Sequence, residues 1–265
     1  MVSVFDRGYL YGDGLFETLR VYRGKPFRWT EHLERFERGA AFLKISIPFN
    51  ATELLAHAAE LIERNQMPES LLRLSLSRGV GLRGYSTTGA DRPTLVMSLH
   101  PAPDANGQPP VWRVITASGR LPANEPLAEF KTCNKLPQIL ARAEAEAAGV
   151  DEALLLNTNG EVVEAASSNL FWIQDNCVGT PPLSSGILAG VTRLVVLEIC
   201  RTLSLPTREA AITPAELQRV HGIFLSLSSW GIIEIVSLDG RELARSPWIA
   251  KIRDAYNGMV GSPRG

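Results

Sequence analysis

The sequence predicts a two-domain protein that combines helices and strands (α/β, or α+β). Its 265 residues, 45% of them hydrophobic, can bury a large core in one big domain or two small ones. A segment with four prolines and one glycine, residues 101–110, is typical of a linker. We therefore predict an N-terminal α/β domain over residues 1–100, a linker over 101–110 and a larger C-terminal domain over 111–265.

Charge, cysteine content and hydropathy exclude several classes of protein. The formal net charge of −1 gives no field that would attract nucleic acid or an anionic membrane. Three cysteines cannot build a disulfide framework, and four scattered histidines lack the spacing of metal ligands. Asp6 and Arg7 stand where a signal peptide needs an apolar core, and no apolar stretch reaches membrane-spanning length. We expect a cytoplasmic protein without nucleic acid, membrane or metal partners.

The N-terminal region is predicted to contain a loop, a strand and two helices. Its glycines indicate a tight loop over residues 2–18 that leads into a strand over residues 19–22. Thr30 is expected to cap the first helix, and Asn50 with Glu53 has the spacing of a capping box at the start of the second. The first helix carries these apolar residues on one face: Leu33, Phe36, Ala40 and Leu43.

Two strands with a long loop between them are predicted next. Residues 72–77 alternate leucine with polar residues, and the second strand covers residues 94–99. The loop over residues 78–87 contains Arg83 and Tyr85. A loop of this length in a compact domain is usually functional or disordered, and its cationic and aromatic side chains favour a function.

Lys131 is the residue around which the second half of the chain is organised. It follows a strand predicted over residues 111–117 and precedes a helix. An amine at such a corner can point into a cleft, where desolvation would lower its pKa and make it a usable nucleophile or base. The alternative is an ordinary solvated surface lysine, because lysines are almost never fully buried. The helix is predicted to be amphipathic, with these apolar residues at helical spacing: Leu136, Ile139, Leu140, Ala143 and Ala147.

A hairpin and three further elements follow. Strands are predicted over residues 152–156 and 162–174, and Asn159-Gly160 between them suits a hairpin turn. The remaining elements are predicted as a helix over residues 190–203, a last apolar strand over residues 223–229 and a helix that contains Trp248.

Two residues of this region suggest chemistry. Thr192 lies in the first turn of the helix predicted from residue 190, where free N–H groups and the helix dipole favour a phosphate. Glu164 lies at a strand end. The alternatives are a simple helix cap for Thr192 and a surface carboxylate for Glu164.

Several ordered blocks carry a resemblance to a known family. They are Asp6-Arg7-Gly8, Tyr11-Gly12-Asp13-Gly14, Glu31-His32-Leu33-Glu34-Arg35, Lys131-Thr132-Cys133-Asn134, Asp151-Glu152-Ala153-Leu154, Ser168-Asn169-Leu170-Phe171 and Gly190-Val191-Thr192-Arg193. Together they resemble the class IV aminotransferases, the fold-type IV pyridoxal phosphate enzymes. That family includes branched-chain and D-amino acid aminotransferases, (R)-amine transaminases and 4-amino-4-deoxychorismate lyase.

The resemblance implies a role for each matching residue. Lys131 corresponds to the lysine that holds pyridoxal 5'-phosphate and later moves the substrate Cα proton. Glu164 matches the glutamate that keeps the pyridine nitrogen protonated, and Arg35 matches the arginine that binds the cofactor phosphate. The other implied cofactor contacts are Ser168, Asn169, Val191, Thr192 and Ser228. The implied substrate contacts are Tyr11, Glu17, Arg83 and Tyr85.

The resemblance also implies an architecture. It predicts that the larger C-terminal domain binds the cofactor in the cleft between the two domains, and that the protein is a homodimer in which Arg83 completes the neighbouring site. Family members usually carry an additional strand before the block at Asp6. We therefore expect either a truncated start or a missing edge strand.

Three functions stay open at this point. The first is a transaminase that moves an amino group between an amino acid or amine donor and an α-keto acid. The second is 4-amino-4-deoxychorismate lyase, which gives 4-aminobenzoate and pyruvate; the loop around Arg83 and Tyr85 resembles that branch. The third is a non-catalytic relative that binds pyridoxal phosphate.

Overall fold

The computed structural model describes residues 2–103 and 110–261, which form two compact units. Of these residues, unit 1 contains 2–103 together with Phe130–Asn134, and unit 2 contains the rest. The predicted mixture of helices and strands is confirmed. Most of the predicted linker, residues 104–109, lies outside the described residues, and the division at residues 101–110 stays a prediction.

Unit 1 is an antiparallel sheet with helices packed on one face. The sheet has the strand order β2-β1-β3-β4. In chain order its elements are α1 (Arg7–Tyr11), β1 (Gly14–Tyr22), β2 (Lys25–Pro26), α2 (Trp29–Leu43), α3 (Ala51–Asn65), β3 (Ser70–Ser77) and β4 (Thr94–Pro101).

The core of unit 1 lies between this sheet and its helices. Side chains of β1 and β3 alternate between the two sheet faces, so every second residue is buried. The predicted apolar face of α2 is confirmed as part of this core, and so is the capping box of Asn50 and Glu53 on α3. Thr30 was expected as a cap, but α2 begins at Trp29 after Arg28, whose backbone is left-handed at φ 56°.

The segment before β1 is helical, which corrects the predicted loop over residues 2–18. Asp6 accepts a hydrogen bond from the N–H of Gly8 and so caps α1. Gly12, at φ 66°, ends the helix in the left-handed conformation that glycine adopts without a Cβ penalty. The predicted strand therefore begins earlier, at Gly14 instead of residue 19.

Unit 2 is built around one large mixed sheet. In chain order its elements are β5 (Val111–Leu121), α4 (Leu136–Ala147), β6 (Glu152–Asn157), β7 (Val162–Ala165), β8 (Asn169–Gln174), β9 (Cys177–Thr180), α5 (Val191–Thr202), β10 (Thr207–Glu209), α6 (Pro214–Leu217), β11 (Gly222–Leu227), β12 (Gly231–Leu238), β13 (Arg241–Glu242) and α7 (Pro247–Gly261).

The sheet of unit 2 closes on itself. Its strand order is β10-β9-β8-β11-β12-β5-β6-β7, with β13 on β12, and β7 also pairs with β8. This last pairing joins the two ends of the run from β8 to β7, so that run forms a ring of strands. A ring has no free edge along those strands, and its faces are filled with apolar side chains.

The structure of unit 2 differs from the expectations in one strand and has two features that the sequence did not predict. The strand predicted over residues 162–174 is two strands, because the chain turns at residues 166–168 and β7 pairs with β8. The strand β12 was missed; it is almost continuously apolar and lies between β11 and β5. The apolar stripe of α4 is not buried: Leu136, Ile139 and Leu140 are 64%, 61% and 57% exposed. The helix packs on the sheet through smaller residues, Ala141 and Ala145.

Candidate active site

The backbone of Lys131 is fixed against the start of β1. The N–H of Phe16 donates to the carbonyl of Lys131 at 2.9 Å, and the N–H of Cys133 donates to the carbonyl of Gly14 at 2.9 Å. These bonds extend the sheet of unit 1 by one short edge segment. The lysine is therefore carried by a strand-like backbone and not by a mobile loop.

The side chain of Lys131 shares an aromatic ring with a second cation. Its Nζ lies 4.7 Å from the centroid of the Phe16 ring, and Cζ of Arg73 lies 3.8 Å from the same centroid. Nζ of Lys131 and Cζ of Arg73 are therefore no further apart than the sum of these two distances. Burial lowers the pKa of Arg73, with the nearby Cys133 acting in the opposite direction. Two cations over one ring form a place that favours an anion.

Arg73 was missed in the sequence analysis. It alternates with the buried leucines of β3, and its register partner is Thr18 on β1, two residues after Phe16. Alternation predicts that Arg73 and Phe16 lie on the face of the sheet opposite the leucines. The signal was present, but only strand pairing shows which strand lies beside which.

A buried ion-pair network occupies the other face of β1. Nε of Arg35 donates to Oε1 of Glu17 at 2.7 Å, and its Nη2 donates to Oε2 at 2.6 Å. Nδ1 of His32 lies 2.7 Å from Oε2 of Glu17. Burial alone would raise the pKa of Glu17, but the charge of Arg35 and the bonds from His32 and Arg35 outweigh it and bring the pKa to about 2.

The pKa of His32 lies below its ordinary value. Its burial lowers the pKa, the bond to Glu17 opposes that change, and the charges of Arg35 and Lys131 add to it. A neutral imidazole that faces a carboxylate through Nδ1 carries its proton on that nitrogen and donates a hydrogen bond to Glu17. The positive charge of Lys131 therefore favours the neutral form of His32. The phosphate role of Arg35 and the substrate role of Glu17 stay predictions.

The loop with Arg83 and Tyr85 is attached to α1. The hydroxyl of Tyr11 accepts a hydrogen bond from the N–H of Gly84 at 2.8 Å. The rings of Tyr11 and Tyr85 meet edge to face, with centroids 5.7 Å apart. The side chains of Arg83 and Tyr85 are exposed, the latter by 89%. These three predicted substrate residues therefore lie together, and unit 1 presents two of them outward.

The predicted carboxylate of unit 2 lies in a row of polar residues. Glu164 is the register partner of Asn169, and Asn169 is the partner of Ser226, so their side chains share one face of the sheet. The N–H of Leu188 donates to Oε2 of Glu164 at 3.1 Å, and Nδ2 of Asn169 donates to the carbonyl of Leu188 at 2.9 Å. Both side chains therefore fix the backbone that leads into α5.

The first turn of α5 has the features of an anion site. Gly190 precedes it and supplies no side-chain cap. Oγ1 of Thr192 lies 3.4 Å from Oγ of Ser228, which follows β11. Within the described part of the chain, the buried hydroxyls of Ser168 and Ser226 have no hydrogen-bond partner. Uncapped N–H groups and spare hydroxyl donors are what a phosphate requires.

The approach to α5 leaves room only for glycine. A Cβ placed on Gly190 would lie 1.9 Å from Oδ1 of Asn169. The predicted cofactor residue Asn169 therefore holds both the carbonyl of Leu188 and the start of the helix in place. Val191 and Thr192 are buried directly beyond this contact.

The described residues contain no group of three or more side chains that could ligate a metal ion. None of the helices in residues 2–103 and 110–261 has the length and hydropathy to cross a membrane. The three cysteines are free thiols.

The chain is similar to known proteins over most of its length. The family model for class IV amino-transferases matches residues 14–238. A D-alanine aminotransferase of Bacillus licheniformis is 31% identical over 264 residues, which cover 98% of this chain and 92% of the relative. A Methanocaldococcus jannaschii protein, whose name marks it as a provisional branched-chain-amino-acid aminotransferase, is 34% identical over 91% of this chain and 83% of its own.

A solved structure extends the comparison to a second activity. The crystal structure of 4-amino-4-deoxychorismate lyase from Pseudomonas aeruginosa has a TM-score of 0.84 and is 33% identical, with 100% of this chain and 96% of that chain covered. Class IV aminotransferases are pyridoxal phosphate enzymes that act on amino acids and keto acids. On the match of the family model and the extent of these alignments, the chain belongs to the class IV aminotransferase family.

Proposed function

We propose that the protein is a pyridoxal phosphate-dependent transaminase that moves an amino group between an amino acid or amine donor and an α-keto acid. The observation that carries this proposal is the position of Lys131. Its backbone is bound to β1, and its amine lies over the Phe16 ring, which a second cation also contacts. The residue that matches the family's lysine is therefore held in a fixed place where an anionic ligand is favoured.

The residues of unit 2 fit the cofactor. The first turn of α5, with Val191, Thr192 and nearby Ser228, offers N–H and hydroxyl donors to a phosphate. The buried hydroxyl of Ser168, which lacks a partner in the described part of the chain, provides a further donor. Glu164 supplies a carboxylate in the same region, and we assign it to the ring nitrogen. Asn169 positions the segment before α5.

The chemistry divides between the cofactor and the chain. Pyridoxal phosphate, when bound, supplies an electron sink for the electrons of a broken bond at the substrate Cα. Lys131 would accept the Cα proton on Nζ and deliver it to the cofactor. Glu164 would accept a hydrogen bond from the protonated ring nitrogen. Arg35, held by Glu17, is the cation we assign to the phosphate.

Carboxylate recognition falls to residues of unit 1. Arg83 and Tyr85 lie at the exposed end of their loop, and Tyr11 supports that loop. Arg73 contacts the same Phe16 ring as Lys131, and we assign it as a second cation for a substrate carboxylate. Glu17 contributes indirectly, because its carboxylate orients Arg35.

A lyase activity is the second candidate. It is supported by the similarity to the Pseudomonas aeruginosa lyase, which extends over the whole chain. Lys131 would remove the same Cα proton, and the products would be 4-aminobenzoate and pyruvate. The two functions share a lysine and differ in the substrate pocket, so a product measurement separates them.

The proposal includes a homodimer in the cytoplasm. The homodimer is supported by the exposed apolar stripe of Leu136, Ile139 and Leu140 on α4, since such patches on soluble proteins often mark interfaces. The outward position of Arg83 also suits a residue that completes a neighbouring site. The cytoplasmic assignment is supported by the free cysteines, which fit a reducing compartment. Light scattering during size-exclusion chromatography tests the dimer, and a monomer at micromolar concentration would refute it.

The decisive experiment is a half-reaction. Protein loaded with pyridoxal phosphate is mixed separately with D-alanine, L-leucine, (R)-1-phenylethylamine and 4-amino-4-deoxychorismate, and the cofactor absorbance is followed. Conversion to the pyridoxamine form by an amino donor supports the transaminase. Release of 4-aminobenzoate and pyruvate without that conversion supports the lyase.

Two variants identify the lysine. Lys131→Ala should abolish turnover and the visible absorbance of the lysine-bound cofactor, whereas Lys135→Ala, four residues further along the chain, should retain both. Full turnover in Lys131→Ala would refute the assignment. Retention of the biological role by that variant would instead indicate a non-catalytic relative.

A further inference from the structure

Arg7 is a buried arginine whose guanidinium is directed at the backbone of the connection between β3 and β4. The part of that connection over residues 79–90 is called the 79–90 loop. Its side chain is among the buried charged groups, at 3% exposure. Nη1 donates to the carbonyls of Gly84 and Ser86, each at 2.9 Å, and Nη2 donates to the carbonyl of Tyr85 at 3.4 Å. One side chain therefore binds three consecutive carbonyls of a single loop.

The guanidinium of Arg7 is itself held in one orientation. Nε of Arg7 lies 2.7 Å from Oδ2 of Asp13. Burial raises the pKa of Asp13, but the bonds from Arg78 and Arg7 outweigh it, so the pKa lies below its ordinary value. A Cβ on Gly81 would lie 2.9 Å from Cδ of Arg7, so the loop also packs closely on the stem of the side chain. Charge-assisted bonds of this kind are stronger than neutral ones.

A second residue of α1 binds the same part of the loop. Tyr11 accepts the N–H of Gly84 at 2.8 Å and packs its ring against Tyr85. Cζ of Arg7 lies 5.0 Å from the centroid of the Tyr11 ring. Arg7 and Tyr11, the first and last residues of α1, thus both bind the backbone of the loop at Gly84.

The side chains at the loop tip are left exposed. Leu82 is 79% exposed, and Arg83 and Tyr85 are exposed as well. Gly84 has φ +108°, a conformation that L side chains rarely adopt. A fixed backbone with outward side chains is the arrangement expected where side chains must meet a ligand at low entropic cost.

We propose that Arg7 is a positioning residue for substrate specificity: it holds the 79–90 loop so that Arg83 and Tyr85 meet a substrate that carries a carboxylate. This inference rests on the proposed function. Arg7 acts through the loop backbone and leaves the chemistry to Lys131. Its replacement should therefore weaken substrate binding more than it slows the reaction of bound substrate.

Trypsin provides a test that does not depend on activity. It cleaves after Arg83, which lies in the loop, and cleavage of a native loop follows the population of its open form. Arg7→Lys keeps a charge, but its three N–H donors cannot replace the four bonds that Arg7 makes to Asp13 and the three carbonyls. With at least one charge-assisted bond lost, cleavage after Arg83 should become about tenfold faster, as measured by mass spectrometry of the fragments.

Arg78→Lys is the matched control. Arg78 also pairs with Asp13, at 2.8 Å, but its other partners are the carbonyls of Leu43 and Lys44 at the end of α2. Arg78→Lys should show any general loss of stability that Arg7→Lys shows. The rate of cleavage after Arg83 should not rise selectively in it. Equal cleavage at Arg83 in Arg7→Lys and Arg78→Lys overturns the proposal. If Arg7→Lys does not fold, Arg7→Gln, which lacks the charge and most of the N–H donors, is tested in its place, and wild-type cleavage after Arg83 in that variant overturns the proposal.

Kinetics distinguish positioning from a purely structural role. In Arg7→Lys, KM for the amino acid should rise about tenfold, while kcat per cofactor-loaded site and the affinity for pyridoxal phosphate stay near wild type. A fall in kcat with unchanged KM overturns the proposal. If the wild-type protein turns over none of the donors, the proposed function fails, and the trypsin comparison still decides whether Arg7 holds the loop.

Discussion

Replacement of Glu17 by glutamine tests the buried network on β1. Glutamine has nearly the shape of glutamate but no charge, so it resembles the protonated carboxyl. In the wild type, Glu17 accepts two bonds from Arg35 and faces His32, and all three residues are buried. The variant leaves the guanidinium of Arg35 buried beside a neutral amide.

The loss of unfolding free energy expected for Glu17→Gln can be estimated in two ways. The pKa of Glu17 falls from an ordinary value of 4.5 to about 2. At 1.36 kcal/mol for each pKa unit, this difference corresponds to about 3 kcal/mol. Removal of one partner from a buried ion pair typically costs about 3–5 kcal/mol, because the other charge stays buried. We therefore expect Glu17→Gln to lose about 3 kcal/mol of unfolding free energy at pH 7.

The pH dependence has a definite sign. The folded-state pKa of Glu17 is depressed, so the carboxylate contributes its full stabilisation above the unfolded value of 4.5. That contribution is lost as the pH falls from 4.5 towards 2. The difference between wild type and Glu17→Gln should accordingly be constant from pH 7 to 5 and should narrow below pH 4.5.

Urea unfolding at several pH values measures this difference. Glu60→Gln is the control: Glu60 lies on α3 of the same unit and forms an exposed pair with Arg64, so its loss should cost less than about 1 kcal/mol. A cost for Glu17→Gln no larger than that of the control would refute the reasoning. So would a difference that does not change between pH 5 and 3.

Three further predictions concern the proposed site. Thr192→Val should weaken pyridoxal phosphate binding about tenfold in an absorbance titration, because a hydroxyl donor beside Ser228 is lost; unchanged affinity would contradict the phosphate site. Gly190→Ala should lower the unfolding free energy by about 1–3 kcal/mol, since its Cβ would clash with Asn169, and thermal unfolding measures this. Arg73→Met should raise KM for an amino acid donor about tenfold in steady-state assays, because a cation over the ring beside Lys131 is removed; an unchanged KM would exclude that role.

Local signals in the sequence predicted local structure well. The capping box at Asn50 and the apolar face of α2 are confirmed, because both depend on residues three or four positions apart. The cap at Thr30 failed because the chain enters α2 through a left-handed Arg28, a conformation that no side-chain preference announces. Interactions between residues three or four positions apart can be predicted from the sequence where the backbone has a common conformation.

Burial across long distances was less predictable. The stripe of Leu136, Ile139 and Leu140 does lie on one face of α4, as its periodicity indicates. Periodicity states which residues share a face but not which surface covers that face. The face of α4 that packs on the sheet contains Ala141 and Ala145. The larger residues are therefore exposed on this chain, and they are available for contacts in the homodimer that we propose.

In the candidate site, too, the sequence predicted which residues take part, whereas the structure is needed to give their positions. The family resemblance predicted Lys131 and Arg35 as cofactor contacts and Glu17 as a substrate contact. Pairing in the sheet adds that Glu17 and Phe16, adjacent in sequence, face opposite sides of β1, so one strand serves two environments. On one side of β1, the bonds from Glu17 fix Arg35. On the other side, the Phe16 ring contacts the amine of Lys131. A one-residue shift of register would exchange these environments, which is why the backbone bonds between β1 and the Lys131 segment matter as much as the side chains they position.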